Sequence, residues 1–405
     1  MIQTIGPETG SIHLAKWTRA TKKSVLQQML METSRPGLIS FALGLPDVNL
    51  FPTDAYLAAV EQVMAEGPTG MQYGPPFQPL KEHIVALMRR RGVECKVEQI
   101  FLTAGAQQGM NLLVRLLLDP GGSLIVEELS YTGFQQVIEP FQPNILTVST
   151  NPKTGMEVEE VELLLRKGNR PSFIYAISDG HNPMAVSMSI EKRRRLVEIA
   201  SQFGAPIIED DAYGHICYGE ELYPPLRAFD DKIVFYVGTF SKILCPGLRV
   251  GWIIAPESMM HYLSVVKEAT DINTGTFTQR TISAYIDSGL LPGHIDFLRK
   301  EYRLRRDTMI NAIREHFPAQ SRCETPPAGI FVWVEMPGDI NGFDLLRTSM
   351  SKEQVAFIPG SAFCSTGSDL RSNCIRLNFS HSAHEVIEVG VSRLARALTL
   401  LENRR

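Results

Sequence analysis

From about residue 100 the chain alternates between short apolar runs and longer amphipathic stretches. Runs of strand length fall at Ser123–Glu128, Ile145–Thr150, Phe173–Ser178, Pro206–Asp210, Ile233–Phe240 and Leu248–Ala255. They are nearly continuous in hydrophobic character, which suits strands covered on both faces of a mainly parallel sheet. Between two of them, Ile190–Phe203 places Leu196, Ile199, Ala200 and Phe203 on one helical face. Lys192-Arg193-Arg194-Arg195 fall on the other, read as a solvated face and not a nucleic-acid patch. Upstream, the first ~35 residues are polar and weakly patterned until Pro36-Gly37. Residues 39–43 read as a short strand or extended arm, and Thr53 as the N-cap of a helix carrying Tyr56, Leu57, Val60, Val63 and Met64. Beyond about residue 290 the pattern changes to a charged helix (Ile295–His316) and a partly alternating strand at 329–336. A second strand follows at 374–379, then a closing amphipathic helix with Val386, Val391, Leu394, Leu398 and Leu401. The pattern predicts a larger α/β domain with a mainly parallel sheet and a smaller α+β lobe beside it.

The chain has 405 residues, enough for two domains, and is 44% hydrophobic and 21% charged. Its 40 basic and 44 acidic residues nearly cancel, against a general nucleic-acid binder, which needs a cationic face. No apolar run approaches the ~18 residues of a membrane span. The N-terminal Met1–Pro7 stretch lacks the basic start and apolar core of a secretory signal. Six cysteines without a Cys-x-x-Cys pair argue against a zinc site or a disulfide framework. A cytoplasmic protein without metal, nucleic-acid or membrane partners is expected.

The chemistry concentrates at residues 237–252, Val-Gly-Thr-Phe-Ser-Lys-Ile-Leu-Cys-Pro-Gly-Leu-Arg-Val-Gly-Trp. Lys242 follows a buried strand. A lysine partly desolvated there and close to other cations loses basicity and becomes an amine nucleophile. Thr239, Ser241 and Arg249 supply hydroxyl and guanidinium donors for a phosphate.

This stretch resembles that of the fold-type I, class I/II aminotransferases, in the branch of the aminoadipate, kynurenine and multi-substrate enzymes. The resemblance implies an α/β fold with a large mainly parallel-sheet domain and a smaller α+β domain. It further implies that Lys242 holds pyridoxal 5'-phosphate as an internal aldimine, with Ser241 and Arg249 at its phosphate. Residues 51–290 would form the large cofactor-binding domain, 291–405 the small C-terminal domain, and 1–50 an N-terminal arm belonging to the latter.

Other motifs follow in the family's order. Such an enzyme needs a carboxylate at the pyridine nitrogen, to keep the ring an electron sink. The strand ending Glu209-Asp210-Asp211-Ala212-Tyr213 matches Asp-x-x-Tyr, assigning Asp210 to that nitrogen and Tyr213 to the phenolic oxygen. Asp211 is a rival carboxylate, but along a strand it faces the opposite side; a helix N-cap acid is the other reading of these residues. Asn182-Pro183 matches the asparagine that also bonds the phenolic oxygen and touches substrate. The turn into Leu112–Leu117 begins a helix whose first N–H groups form an anion site, with Gly105, Ala106 and Gln107 as phosphate ligands. Tyr131 matches the aromatic stacked on the ring, although the core also claims such residues. Arg376, within an apolar strand, suits bidentate reading of an α-carboxylate; a structural ion pair is the alternative. Gly44 lies in the N-terminal substrate motif. Tyr73 matches the tyrosine that reaches the neighbouring subunit's phosphate, implying a homodimer with shared sites.

The implied activity is transfer of the amino group of an L-amino acid to a 2-oxo acid, in amino-acid metabolism or biosynthesis. Departures surround Asn182, where Ser178-Asp179-Gly180-His181 replaces the usual aromatic-Gln and Thr-Gly is gone. Leu43 stands for a glycine, the segment after Tyr73 is shortened, and Cys245, read as a buried structural thiol, follows Lys242 closely. These leave open elimination, replacement, cyclisation, decarboxylation or oxidation on the same cofactor. A third reading, a cofactor-sensing regulator, calls for a long basic N-terminal extension, whereas about 38 residues precede the first core motif.

Overall fold

The computed structural model describes residues 14–20, 37–219, 222–338, 340–367 and 369–403. After a two-residue strand β1 (Ile39–Ser40), helices α1 (Thr53–Ala65) and α2 (Gln78–Arg89) lead into a seven-stranded sheet. Its strands are β2 (Ile100–Thr103), β3 (Ser123–Glu127), β4 (Asn144–Val148), β5 (Ile174–Ala176), β6 (Ile207–Asp210), β7 (Val234–Thr239) and β8 (Gly251–Ile254). The spatial order is β2-β8-β7-β6-β5-β3-β4, with β8 antiparallel to both neighbours and the other pairs parallel.

Alternate side chains of these apolar runs enter different cores, which is why the runs carry almost no polar residues. Leu124, Val126, Tyr175, Ile208, Phe235 and Val237 pack with α3 (Ala106–Leu117) and α4 (Thr132–Ile138). Ile125, Ile174, Ile207 and Val234 pack on the opposite side with α5 (Val158–Arg166) and α6 (Ile190–Phe203). The predicted helix at Ile190–Phe203 is observed with those bounds, capped by Ser189 and ended by Gly204.

Its polar face is not wholly solvated as expected. Arg193 is fully buried, donating to Asp179 at 2.6 Å and to the Met188, Ser178 and Pro224 carbonyls. The run of four basic residues hides one residue whose charge is matched inside the fold. Two further expectations shift. Thr53 is the first helical residue of α1, with Pro52 at the cap position and no side-chain capping bond. The run at Leu248–Ala255 becomes strand only from Gly251, because residues 246–248 form a 3-10 turn and Arg249 is left-handed at φ 52°.

Later come α7 (Met260–Asp271), α8 (Thr276–Asp287) and the long α9 (Leu291–His316), which packs along α11 (His384–Glu402). Between them lie β9 (Phe331–Glu335), α10 (Gly342–Thr348), β10 (Val355–Ala356), β11 (Ile358–Pro359) and β12 (Cys374–Asn378). Strands β9, β12 and β11 form an antiparallel sheet in that order. In α11 the buried row is Ile387, Val391, Leu394 and Leu398, while Val386 turns outward. Strand β1 pairs with β10, and Phe41 continues the join through bonds of 2.8 Å to Ala356 and Asn378. Residues 39–41 are thereby fixed to the C-terminal part of the chain, and the Ala42 and Gly44 carbonyls that follow reach Arg376 and Lys242.

Arg193→Leu leaves Asp179 short of one counter-charge in a buried place. It should destabilise the fold by about 3–5 kcal/mol, measurable by urea denaturation; a loss below about 1 kcal/mol, the scale of exposed pairs, would contradict the role given to this arginine.

Candidate active site

The C-terminal ends of the central strands converge with the start of α3, the Asn182 loop and the arm at residues 42–44. Lys242 sits in the turn after β7, where Phe240 packs against Trp252 at 5.0 Å. Its Nζ donates to the Gly44 carbonyl at 2.7 Å. Burial, then the nearby Arg249 and Arg376 charges, push the amine down to about 8, against the opposing pull of Asp210. A lysine in that range supplies both a nucleophile and a proton carrier near neutrality.

Asp210 ends β6 and is buried, with burial pushing its carboxyl up to about 6. Oδ2 accepts from the Tyr175 hydroxyl at 2.7 Å, while the buried Oδ1 has no hydrogen-bond partner. Asp211 faces away, accepting from Arg91 at 2.5 Å and Tyr236 at 2.8 Å. Among the described residues both acids keep Oδ1 without a hydrogen-bond partner, but Asp211 is paired with Arg91 in the interior, whereas Asp210 meets one hydroxyl and feels the charge of Lys242.

Asn182 stands between two site residues, accepting from Arg376 Nη1 at 2.6 Å and bonding the Tyr213 hydroxyl. Arg376 is buried between the Phe331 and Phe363 rings, 3.9 and 4.7 Å from their centroids. It donates through Nη2 to Ala42, keeps Nε unpartnered and loses basicity, to about 10, through burial. It meets no carboxylate, so the structural ion pair that could account for a buried arginine is missing among the described residues. Tyr213 packs edge-on to Phe331 at 6.0 Å, and burial raises its hydroxyl above the usual tyrosine range.

The anion cradle is built on the turn before α3. Gly105 adopts φ +85°, and a Cβ there would stand 2.6 Å from the Arg249 guanidinium, so only glycine leaves that space open. The N-terminus of α3 carries no side-chain cap, leaving the N–H groups of Ala106 and Gln107 to a ligand. The Gln107 amide donates to Gly133 at 2.8 Å. Thr239 and Ser241 bond one another at 2.9 Å, and Arg249 reaches Ala104 at 3.0 Å. Tyr131 lies at the start of α4; burial raises its hydroxyl, Asp210 raises it further, and Arg376 and Arg249 oppose. Tyr73 is not brought in: it is 78% exposed, and among the described residues no hydrogen bond or ring contact joins it to the others. No cluster suited to a metal ion occurs among the described residues.

The two unusual residues before Asn182 are anchored inside the fold. Asp179 is held by Arg91 and Arg193, and His181 Nε2 lies 3.1 Å from a Glu127 carboxylate oxygen while its Nδ1 accepts from the Met184 N–H. Gly180, at φ +58°, lies so close to Gly329 that a Cβ would stand 2.9 Å from its backbone. Sequence reasoning missed Tyr175, Phe331, Phe363 and Arg91. Tyr175 carried a faint signal as the one hydroxyl in an otherwise apolar stretch before Ser178.

A family model described as aminotransferase class I and II matches residues 38–394. The aromatic-amino-acid aminotransferase 1 of Thermococcus litoralis is 33% identical over 93% of this chain and 92% of its own. The 2-aminoadipate transaminase of Thermus thermophilus is 31% identical over 97% and 98%. The crystal structure of α-aminoadipate aminotransferase from Thermus thermophilus, complexed with N-(5'-phosphopyridoxyl)-L-leucine, superimposes with a TM-score of 0.90. That likeness spans 97% of this chain and 98% of that one at 30% identity. The residues present fit pyridoxal phosphate: a buried carboxylate oxygen without a donor, an open glycine cradle beside an arginine, and a lysine of lowered basicity.

Because a depressed amine is neutral at lower pH, Lys242 should react with acetic anhydride in the apoprotein with a midpoint near pH 8. Competitive labelling with peptide mapping reads this directly; a midpoint near the ~10.4 of a free lysine would remove the electrostatic argument.

Proposed function

The chain belongs to the aminotransferase class I and II family and is a pyridoxal-phosphate-dependent aminotransferase; from that premise we propose how its own residues carry the reaction. The carrying observation is the triangle of Lys242, Asp210 and Arg376, each with an atom available to a ligand or reached by one short bond. Bound there, pyridoxal phosphate supplies the carbonyl carbon that accepts the amino group and the ring that takes up electron density.

Lys242 would hold the cofactor through Nζ, and the same amine, with its lowered basicity, would take up the proton leaving the substrate's α-carbon. Asp210 Oδ1 holds the proton on the ring nitrogen. Tyr213 and Asn182 hold the phenolic oxygen, and Tyr131 covers the ring face. Gly105, Ala106, Gln107, Thr239, Ser241 and Arg249 hold the phosphate. Arg376 grips the α-carboxylate of the amino acid and, in the return half-reaction, of the 2-oxo acid; Asn182 and Gly44 complete that end. Flanking aromatic rings keep Arg376 dry, which strengthens its pairing with a carboxylate.

We assign residues 51–290 to the cofactor-holding domain, and 291–405 with the arm to the smaller one. We further assign a homodimer with shared sites. Tyr73, Met71 and Ile272 are all more than 60% exposed, and the Asn273 amide bonds Gly74, joining the two loops that carry them. Leu57 and Met64 on α1 are exposed as well, and exposed apolar side chains of this kind suit a surface covered by a second subunit. Cys95, Cys217, Cys245, Cys323 and Cys374 are free thiols, which suits a reducing compartment, so we assign the cytoplasm; among the described residues no helix is long and apolar enough to cross a membrane.

Single-turnover spectra with a panel of amino acids test the reaction. A productive donor should leave pyridoxamine phosphate with one equivalent of 2-oxo acid, and Lys242→Ala should form neither; regeneration of pyridoxal phosphate in one pass would instead mean elimination or cyclisation.

The dimer has its own test. Tyr73→Ala and Lys242→Ala proteins, each impaired, should regain activity after mixing and exchange of subunits, because one of the two sites in a mixed dimer is then intact. No recovery with demonstrated exchange would place Tyr73 outside the partner's site.

A further inference from the structure

Asp210 and Asp211 each leave Oδ1 without a hydrogen-bond partner, but Asp211 is paired with Arg91, whereas among the described residues Asp210 has no arginine to hold it, and a buried carboxylate left to itself rotates and finds a donor. What prevents this is on the adjacent strand. Tyr175 lies opposite Ile208 in the β5–β6 register, so its side chain shares a sheet face with Ile208 and with Asp210 two residues further on. Its hydroxyl reaches Asp210 Oδ2 at 2.7 Å, the diagonal contact that a long aromatic side chain can make between strands. The ring is itself immobilised, stacked on Phe134 with centroids 3.6 Å apart and planes 4° from parallel; Phe134 also meets Phe173 edge-on at 6.3 Å. Tyr175 and Phe134 are almost completely buried.

We propose that Tyr175 is the positioning residue of Asp210, fixing the plane of its carboxylate by one bond so that Oδ1 points at the cofactor's ring nitrogen. This rests on the reading of Asp210 given above. Phe134 locks the ring of Tyr175, Tyr175 locks Oδ2, and Oδ1 is what remains. The donor is permanent, since burial and the adjacent Asp210 keep the Tyr175 hydroxyl protonated well beyond the ordinary tyrosine range. Its bond also favours the ionised carboxylate, against the effects of burial and of Asp211; Lys242 acts in the same direction as Tyr175. Tyr131 and Tyr213 complete the ionisable groups that feel Asp210.

Tyr175→Phe keeps the stacked ring and removes only the donor. Equilibrium titration of the apoprotein with pyridoxal phosphate should show about ten-fold weaker binding, the scale of one hydrogen bond to a charged group. With a reactive donor, kcat should fall by a similar factor while KM stays within about two-fold, since Arg376 is untouched. Phe134→Leu, which loosens the ring but keeps the hydroxyl, should weaken binding less. In an Asp210→Asn background, Tyr175→Phe should add nothing, the signature of a residue acting through another. Unchanged cofactor binding in Tyr175→Phe, with Asp210→Asn impaired, would overturn the role of Tyr175 alone. Normal cofactor binding by Asp210→Asn would overturn the reading of Asp210 itself. A larger effect from Phe134→Leu than from Tyr175→Phe would reduce Tyr175 to packing.

Discussion

Four charges buried together, Arg91, Asp179, Arg193 and Asp211, hold the geometry of this protein. Taking any one of them out of water costs several kcal/mol, and only close, multiple pairing offsets it. Here Arg91 bridges the two aspartates at 2.8 and 2.5 Å, and Arg193 closes on Asp179 from the other side. The groups come from the residues after α2, the loop leading to Asn182, helix α6 and the end of β6. None can move without leaving a charge unmatched. The network therefore places two things it does not touch: Asn182, three residues beyond Asp179, and Asp210, on the opposite side of the strand from Asp211.

The second constraint joins the two ends of the chain over that frame. The arm at residues 39–42 is hydrogen-bonded to β10 and β12, and its carbonyls then serve the site: Ala42 receives Arg376, and Gly44 receives Lys242. Both side chains are thus held by neutral carbonyls, not by carboxylates, which leaves the Arg376 charge for a ligand and does nothing to raise the basicity of Lys242. With Arg249 nearby, the site carries more positive than negative charge, which lowers the basicity of Lys242 and favours substrates and cofactors bearing carboxylate and phosphate.

The motifs that the fold brings together were legible because each ties chemistry to a local pattern: a lysine after a buried strand, acids closing another, an arginine inside a third. The parallel sheet was legible from unbroken apolar runs. Arg193 was not, because a basic residue in a basic run gives no local sign that its counter-ion lies on another segment. The same holds for Asp179 and His181, whose partners Arg91 and Glu127 are distant in sequence. Cap and strand limits shifted for a simpler reason: Pro52 and the Pro246-Gly247 turn fix the backbone where hydrophobicity alone sees continuity. Tyr175 is hardest to read, since its meaning depends on strand register, which no single segment encodes.

The end of β6 shows how one strand can carry three consecutive acids in a dry interior. Glu209 faces the α5/α6 side and accepts from Ser178 and from the Leu226 and Arg227 N–H groups, burial still raising it to about 7. Asp211 takes an arginine and a tyrosine. Asp210, between them and on the other face, takes a single hydroxyl. The pleat alternates their directions, so each acid meets a different environment although they adjoin in sequence. Stability alone would give Asp210 a second donor or a cation: Glu209 has donors on both oxygens, and Asp211, whose Oδ1 is also unbonded, is paired with Arg91. The vacant oxygen of Asp210, an acid with no arginine paired to it among the described residues, is the departure from that rule, and such departures are where function is to be sought.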